Sequence, residues 1–418
     1  MKETWNAVLA HLDEDGLVDM AREALRIPSP PGEERAVAEF FVSRMHEQGI
    51  EAEIQQVPPD ENMLVPSVNG VGKLAGTGDG PSLLFNGHMD HNPVCDGWTK
   101  DPFGGIIEDG WLYGFVHMKA ADAAYIAALG AVRNAGISLK GDVLLTLVCG
   151  ELRGGCGTKQ SLSEGWTADY FILGEPTELE TAVCHTASIV FDIHVLGAMK
   201  HFATVDVPGK KGINAVEYAA KVIAALGPSH APLASIDQKG WLTFEPRSRF
   251  EDLPQLNIGS IRGGISRDHD RSRPALMPDV CTLTVDLRIV PGMDRHGIEA
   301  DLVRLLRSIQ AENPDFRFEI DFAAETFPHP FDSPPDSVVA LALSTAHTRV
   351  TGTPPRESRV LKFAASDASW LGLAGIPGII YGPTGKYLSR PDERGSIADI
   401  VTAARVYACV IADICGAA

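Results

Sequence analysis

The sequence predicts an α/β protein in which a mostly parallel sheet is sandwiched between helices, with a second, ferredoxin-like domain inserted into it. Two observations lead to this prediction. Apolar runs of strand length alternate with Ala-rich stretches of helix length, which is typical of βα units on a buried parallel sheet. In addition, 418 residues exceed the size at which one hydrophobic core usually stops growing, which favours two domains.

The predicted strands of the first domain are short apolar runs. The clearest of them cover residues 82–86, 143–148 and 170–173. Between the first two, the Ala-rich stretch from Met118 to Ala135 predicts a helix, which Gly136 ends because glycine readily adopts the backbone of a helix C-cap. Strand, helix and strand in this order predict a βαβ unit.

The pattern changes near residue 187, where the predicted elements follow one another in βαββαβ order. Strands are predicted over 189–195, 256–261, 281–289 and 316–322, and helices over 215–226 and 297–310. The Pro-rich stretch 327–335 predicts a return to the first domain, which a helix over 337–349 and a strand over 378–381 complete. The predicted domains are therefore 1–186 together with 326–418, and 187–325.

Composition excludes several classes of function. A formal charge of -19 argues against nucleic acid as a partner, because phosphate-backbone binding relies on clustered Lys and Arg. No apolar run approaches the roughly 20 residues of a membrane helix, and the start of the chain lacks the features of an export signal, so we expect a cytoplasmic protein. Seven cysteines without a CxxC pair are expected to be reduced, buried thiols.

The first motif that suggests a functional site is Gly87-His88-Met89-Asp90, which directly follows an apolar strand. Residues two apart at a strand end project to the same side, so His88 can ligate a metal while Asp90 accepts a hydrogen bond from its other ring nitrogen. The triplet alone is weak evidence, because a structural His beside a surface Asp is about as common.

Further motifs place this triplet in context. They are Asp- and Gly-rich turns over 96–98, 101–105 and 109–114, then residues 117–119, 151–158 and 174–177. In this order they resemble the metallopeptidase family of two-zinc aminoacylases, succinyl-diaminopimelate desuccinylases and glutamate carboxypeptidases. The resemblance continues through 197–201, 212–215 and 285–288 in the inserted domain. It implies a metal-dependent hydrolase of C–N bonds that forms a homodimer, with the first domain catalytic and the inserted domain serving dimerisation or as a lid.

The resemblance also exposes three departures from the family pattern. Glu151 stands at the general base, but Leu152 stands where a carboxylate would ligate a second metal. Ser389, in a late run over 388–393, stands at the second metal's His. His117 replaces the bridging Asp before Met-Lys, and a neutral imidazole ligates only one ion because it has one free lone pair.

We therefore expect a single divalent ion, manganese or zinc, held by His88, His117 and Glu175. Asp122, just beyond the Met-Lys pair, is the alternative to His117, although on an Ala-rich helix it is more simply a polar-face residue. In the implied mechanism Glu151 takes a proton from water and delivers it to the departing nitrogen.

Three further residues receive roles from the resemblance. His201 matches a family His that reaches the site of the partner subunit, and is therefore placed with Asp90 and Glu151 in the catalytic set. Arg288 stands where relatives bind a substrate carboxylate, and Ser389 is assigned to the substrate as well. Taken as isolated residues, His201 and Arg288 would more often be structural.

The loss of second-metal ligands suggests a substrate other than a peptide. A divergent single-metal relative hydrolyses an aryl amine, so the specific expectation is deamination of 5-nitroanthranilate to 5-nitrosalicylate and ammonia, in the degradation of aromatic compounds. The alternative is an amidase or carboxypeptidase acting on an N-acyl amino acid or dipeptide. A non-catalytic binding protein with the same fold is a second alternative, against which the retained Glu151 argues because binding alone needs no general base.

Overall fold

The computed structural model of the chain describes residues 2–229, 231–245, 254–267, 274–323, 327, 329–357 and 364–416. It divides into two compact units, one formed by Met1–His185 with Phe331–Ala418 and the other by Thr186–Pro330. The predicted domain boundary between 325 and 326 falls outside the described residues.

Most helices of the described chain begin at a polar N-cap residue, and most have glycine at or directly after the C-cap. They are α1 (Lys2–Ala10), α2 (Glu14–Leu25), α3 (Arg35–Glu47), α4 (Lys119–Asn134), α5 (Cys156–Ser163), α6 (Ala215–Leu226), α7 (Arg295–Glu312), α8 (Val338–Thr351), α9 (Ala368–Leu373) and α10 (Ile397–Ile414). Among the described residues no helix combines the length and the apolar character needed to cross a bilayer.

The strands vary from two to ten residues. They are β1 (Glu51–Val57), β2 (Ser67–Leu74), β3 (Leu83–His88), β4 (Ile106–Glu108), β5 (Trp111–Tyr113), β6 (Val143–Val148), β7 (Tyr170–Leu173), β8 (Cys184–His185), β9 (Ala187–Leu196), β10 (Gln255–Gly264), β11 (Val280–Ile289), β12 (Arg317–Phe322), β13 (Phe331–Asp332), β14 (Gly378–Ile380), β15 (Gly385–Lys386) and β16 (Arg394–Ser396).

The first unit is built on a six-stranded sheet in the order β1-β2-β6-β3-β7-β14. The four strands β6, β3, β7 and β14 are parallel, whereas β2 is antiparallel to both of its neighbours. Strands β3 and β6 are buried along their whole length, which explains why apolar residues fill the first half of β3 and all of β6 except Thr146. The predicted mostly parallel α/β sheet is confirmed.

Helix α4 packs across this sheet, and its side chains lie at the centre of the hydrophobic core. Its many alanines let it approach closely, while Tyr125 fills the remaining space with a ring 4.8 Å from Phe85 and 5.0 Å from Tyr407 on α10. All three side chains are fully buried. Because α4 starts directly after the segment that contains His117, this packing also anchors one corner of the candidate site.

The second unit has the predicted ferredoxin-like order β9-α6-β10-β11-α7-β12. Its four strands form an antiparallel sheet in the order β10-β11-β9-β12. Buried and partly exposed residues alternate along most of β9, as expected for a sheet with one face on the core. The Asn214 side chain accepts hydrogen bonds from the backbone N–H groups of Val216 and Glu217, which fixes the start of α6 at the predicted residue.

Candidate metal centre

Three chain segments of the first unit bring His88, His117 and Glu175 together. His88 ends β3, Glu175 lies two residues after β7, and His117 lies two residues before α4. One ligand atom from each lies within 4.8 Å of the other two. His117 Nε2 lies 2.6 Å from Glu175 Oε2, and His88 Nε2 lies 4.0 Å from Glu175 Oε1. The two imidazoles and the carboxylate that the sequence singled out therefore lie side by side.

The His88 ring is oriented so that one nitrogen faces this group. Its Nδ1 lies 3.0 Å from the Asp90 carbonyl oxygen, whereas Nε2 is buried and has no hydrogen-bond partner among the described residues. Burial lowers the pKa of His88, but Asp90, Glu151 and Glu175 outweigh burial and raise it well above its ordinary value. The surroundings therefore favour positive charge at this point, and a cation beside Nε2 fits the donor set.

Asp90 differs from the predicted arrangement in one respect. Its carboxylate oxygen lies 3.5 Å from His88 Nδ1, so the shorter contact of the ring is to the backbone carbonyl of Asp90. The carboxylate instead accepts the backbone N–H groups of Glu151 and Leu152, at 3.1 and 3.0 Å. Burial raises the pKa of Asp90, but His88 and these two N–H groups outweigh burial, and the pKa lies below its ordinary value. Asp90 thus joins the His88 strand to the Glu151 loop.

Glu151 begins a short 3₁₀ turn directly after β6. Glycines in left-handed conformation flank the turn, with φ of +65° at Gly150 and +86° at Gly154, a backbone that residues with a Cβ rarely adopt. The Glu151 side chain is buried. Burial raises its pKa well above the ordinary value; His88 opposes this rise, and Glu175 and Asp367 add to it. A carboxylate with a raised pKa is a stronger proton acceptor, as a general base near neutral pH requires.

Asp122, the predicted alternative ligand, lies on α4 beneath the end of β3. Its Oδ1 would lie 2.0 Å from a Cβ placed on Gly87, and neither carboxylate oxygen has a hydrogen-bond partner among the described residues. Burial raises the pKa of Asp122 well above its ordinary value. The group whose ligand atoms converge contains His117 rather than Asp122. The peptide bond that joins His117 to Met118 is cis.

The two positions predicted to have lost second-metal ligands make other contacts. Leu152 offers its backbone N–H to Asp90, and the exposed Ser389 accepts a hydrogen bond from Asn92 Nδ2 at 2.8 Å. Sequence reasoning missed the role of Glu393, which is buried and accepts the backbone N–H groups of His117 and Ser389, at 3.0 and 2.8 Å. Its place at the end of the motif over 388–393 is the signal that could have identified it.

His201 and Arg288 lie in the second unit. His201 is exposed, its ring stacks on Phe202 with centroids 5.6 Å apart, and its Nδ1 accepts the backbone N–H of Ala203. The Arg288 guanidinium donates to the Asp286 carboxylate at 2.8 Å. The catalytic role predicted for His201 and the substrate role predicted for Arg288 stay predictions.

Comparison with known proteins identifies the family. The model of peptidase family M20/M25/M40 matches residues 84–413, which is most of the chain. The chain belongs to this family. Over 344 residues it is 30% identical to a succinyl-diaminopimelate desuccinylase of Cereibacter sphaeroides, covering 79% of this chain and 82% of that protein. Over 398 residues it is 28% identical to an N-formyl-4-amino-5-aminomethyl-2-methylpyrimidine deformylase of Bacillus subtilis, covering 88% and 87%.

Solved structures of M20 peptidases share the fold. The aminopeptidase PepT from Bacillus cereus superposes with a TM-score of 0.75 at 18% identity, covering 97% of this chain and 99% of that one. A dinuclear metal binding peptidase of the M20 family from Bacillus subtilis gives a TM-score of 0.69 at 16% identity, covering 96% and 98%. At these identities the likeness establishes the fold alone.

Family membership settles the coarse function. The chain is a metal-dependent hydrolase that acts on amide-type C–N bonds. The predicted family, fold and enzyme class are therefore confirmed, whereas the alternative of a non-catalytic binding protein is not supported. The specific expectation of 5-nitroanthranilate deamination finds no support. The alternative that the sequence left open, an amidase or carboxypeptidase, agrees better with the relatives.

Proposed function

We propose that this M20 enzyme is an amidase that removes a small acyl group from the nitrogen of a small molecule, at a site with one divalent metal ion. The observation that carries the proposal is the convergence of His88, His117 and Glu175 beside the buried Glu151. Two relatives of 28 and 30% identity, named as a deformylase and a desuccinylase, support acyl removal as the reaction. A small N-acylated amine or amino acid is therefore the proposed substrate class.

In the proposed mechanism, His88, His117 and Glu175 would hold the ion, and manganese or zinc would suit two nitrogen donors and one oxygen donor. When bound, a divalent ion polarises the acyl carbonyl and makes a neighbouring water more acidic. Glu151 accepts the proton of the attacking water, whose oxygen forms a bond to the acyl carbon. Glu151 then gives that proton to the amide nitrogen as the C–N bond breaks, which yields an amine and a carboxylic acid.

The number of metal ions is the finer part of the proposal. Leu152 has no ligand atom in its side chain, and the Ser389 hydroxyl accepts a hydrogen bond from Asn92. A His at position 117 provides one lone pair where a bridging carboxylate provides two oxygens. These three residues support a single ion, although a related peptidase of known structure is dinuclear.

We also propose that the enzyme is a cytoplasmic homodimer in which the second unit supplies the interface. Strand β10 lies at an edge of its sheet, and Ile261 on this strand is 52% exposed. Met199, Phe202 and Val205 are exposed as well, in the segment that contains His201. Exposed apolar side chains in one segment are typical of an interface, and His201 would then be close to the partner's surface. Light scattering coupled to size-exclusion chromatography tests the dimer, and a monomer at micromolar concentration would contradict it.

Three measurements test the proposed function. Metal analysis of the purified, fully active enzyme is expected to give one metal ion per chain. A screen of N-formyl and N-succinyl amines is expected to identify compounds that the enzyme hydrolyses. Glu151→Gln is expected to lower kcat by about 10² to 10⁴ with the metal content unchanged, since only the base is removed. Glu53→Gln, an exposed carboxylate on β1, is the control and should leave kcat unchanged.

The contrary outcomes are distinct. Two metal equivalents at full activity would refute the single ion. Unchanged turnover by the Glu151→Gln variant would remove Glu151 from the role of base. Turnover of aryl amines without any turnover of acyl amines would refute amide hydrolysis.

A further inference from the structure

The loop that carries Glu151 is held by its backbone. Four consecutive N–H groups, from 149 to 152, each donate to a buried side-chain oxygen from another part of the first unit. The pairs are Cys149 with Asn69 Oδ1 at 2.9 Å, Gly150 with Glu34 Oε1 at 3.1 Å, Glu151 with Asp90 Oδ1 at 3.1 Å, and Leu152 with Asp90 Oδ2 at 3.0 Å. Each acceptor is fully buried, so these bonds are shielded from water.

Of the two carboxylates in this set, Glu34 is the one that the chemistry of the site leaves unexplained. It lies just before α3, is 0% exposed, and makes three hydrogen bonds. Its Oε2 accepts the Gly32 N–H at 2.8 Å and the Ser67 hydroxyl at 2.5 Å, while Oε1 accepts the Gly150 N–H. All three neighbours therefore donate to Glu34, and an ionised carboxylate is the side chain that only accepts.

The contact with Gly150 fixes the peptide next to the base. Gly150 has φ of +65°, and this left-handed turn directs the chain from the end of β6 into the turn that starts at Glu151. A Cβ on Gly150 would lie 2.5 Å from Cys156 Sγ, so the turn is also packed tightly on its other side. Small displacements of a catalytic group can cost a large factor in rate, so a side chain that fixes this turn bears on catalysis.

We propose that Glu34 is a positioning residue for Glu151 and acts through the backbone N–H of Gly150. The proposal rests on the function proposed above, in which Glu151 is the general base. Burial and the nearby Asp90 raise the pKa of Glu34 to about 7, so the fold keeps a carboxyl group where its charge is disfavoured. Such groups occur often at functional sites, which supports a role beyond local packing.

Two substitutions separate positioning from simple structural support. In Glu34→Gln the side chain has one acceptor and one NH₂ donor, so at least one neighbouring donor loses its partner. Ser67→Ala is the matched control, because it removes a hydrogen bond from the same carboxylate without changing the Gly150 contact. If the Glu34→Gln variant fails to fold, the Glu34→Asp variant is used in its place. It keeps the charge but shortens the side chain by one carbon.

The first experiment measures backbone protection and does not depend on activity. Hydrogen exchange followed by mass spectrometry on the metal-loaded enzyme is expected to show at least tenfold faster exchange over 149–153 in Glu34→Gln. Exchange in the Ser67→Ala variant is expected to match wild type in this segment. Equal protection of the segment in wild type, Glu34→Gln and Glu34→Asp would overturn the proposal, because the shorter Asp side chain loses the Gly150 N–H even where the Gln oxygen still faces it.

The second experiment measures kinetics with N-formyl and N-succinyl amines. Glu34→Gln is expected to lower kcat by about 10- to 100-fold with KM within about twofold and metal content unchanged. In the Glu151→Gln background the same substitution is expected to have no further effect on kcat. An equal loss in both backgrounds would overturn the proposal, because Glu34 would then act independently of Glu151. If Glu151→Gln alone leaves kcat unchanged, the proposed function fails, whereas hydrogen exchange still decides whether Glu34 holds the loop.

Discussion

The raised pKa of Glu34 predicts a specific dependence of stability on pH. Its pKa is about 7 in the folded protein, against an ordinary value of 4.5, because burial and Asp90 disfavour the charged form. The folded state therefore holds the proton more tightly than the unfolded state does. The stability that this preference contributes is fully present below pH 4.5 and is lost as the pH rises through 7.

The magnitude follows from the two pKa values. Each pKa unit corresponds to about 1.4 kcal/mol, so the complete loss of stability is about 3 kcal/mol, most of which falls between pH 5 and pH 8. Glu34→Gln removes the titrating group. The difference in unfolding free energy between the variant and wild type is thus expected to change by about 2 to 3 kcal/mol in favour of the variant over this range.

Urea denaturation of the metal-free protein at pH 5, 6, 7 and 8 measures this difference. The metal is removed because a bound cation lowers the pKa of nearby carboxyl groups. Loss of a hydrogen bond in the variant adds a constant that does not depend on pH, so the slope is the quantity to compare. Glu53→Gln serves as the exposed control. A difference between Glu34→Gln and wild type that stays constant from pH 5 to pH 8 would refute the reasoning.

Two further predictions concern the site. Gly155→Ala would place a Cβ 2.3 Å from an Asp367 carboxylate oxygen, whereas at Gly165, also with positive φ, nothing lies within 4 Å. We expect Gly155→Ala to lose about 1 to 3 kcal/mol more stability than Gly165→Ala in urea denaturation, and equal losses would contradict this. Manganese or zinc at 100 times its Kd is expected to add about 2.7 kcal/mol to wild type and far less to His88→Ala in thermal denaturation. An equal gain in both proteins would show that the ion binds elsewhere.

Elements with a strong local signal were predicted closely. The strand over 143–148 and the helix over 215–226 have the predicted bounds, because the first is a continuous buried apolar run and the second is capped by Asn214 and Gly227. His88 was singled out because it follows an apolar strand, and Glu175 because it matches the motif over 174–177 that carries the family resemblance. Both stand at or just after the carboxyl end of a parallel strand, where the fold gathers its functional residues.

Contacts between distant parts of the chain could not be predicted in this way. Glu34 and Gly150 are 116 residues apart, and in the sequence Glu34 is one of two adjacent glutamates before a helix. The carboxylate of Asp90 was expected to serve the His88 ring, but it lies 3.5 Å from that ring and makes its shorter contacts to the N–H groups of Glu151 and Leu152. Hydrogen bonds of this kind depend on loop backbone conformation, which residue types constrain only weakly.

The charge of the site gives a physical reason for the departures from the family pattern. In a buried site each divalent cation has to be offset by nearby carboxylates, because isolated charge is strongly disfavoured there. By the resemblance of the motifs, Leu152 stands where the family pattern has one carboxylate, and His117 stands where it has another. The two substitutions together remove two negative charges, which equals the charge of one divalent ion. Ser389 replaces a neutral His and leaves this balance unchanged. A site with one ion that kept both carboxylates would carry uncompensated negative charge, so the three departures are coherent with the single ion proposed above.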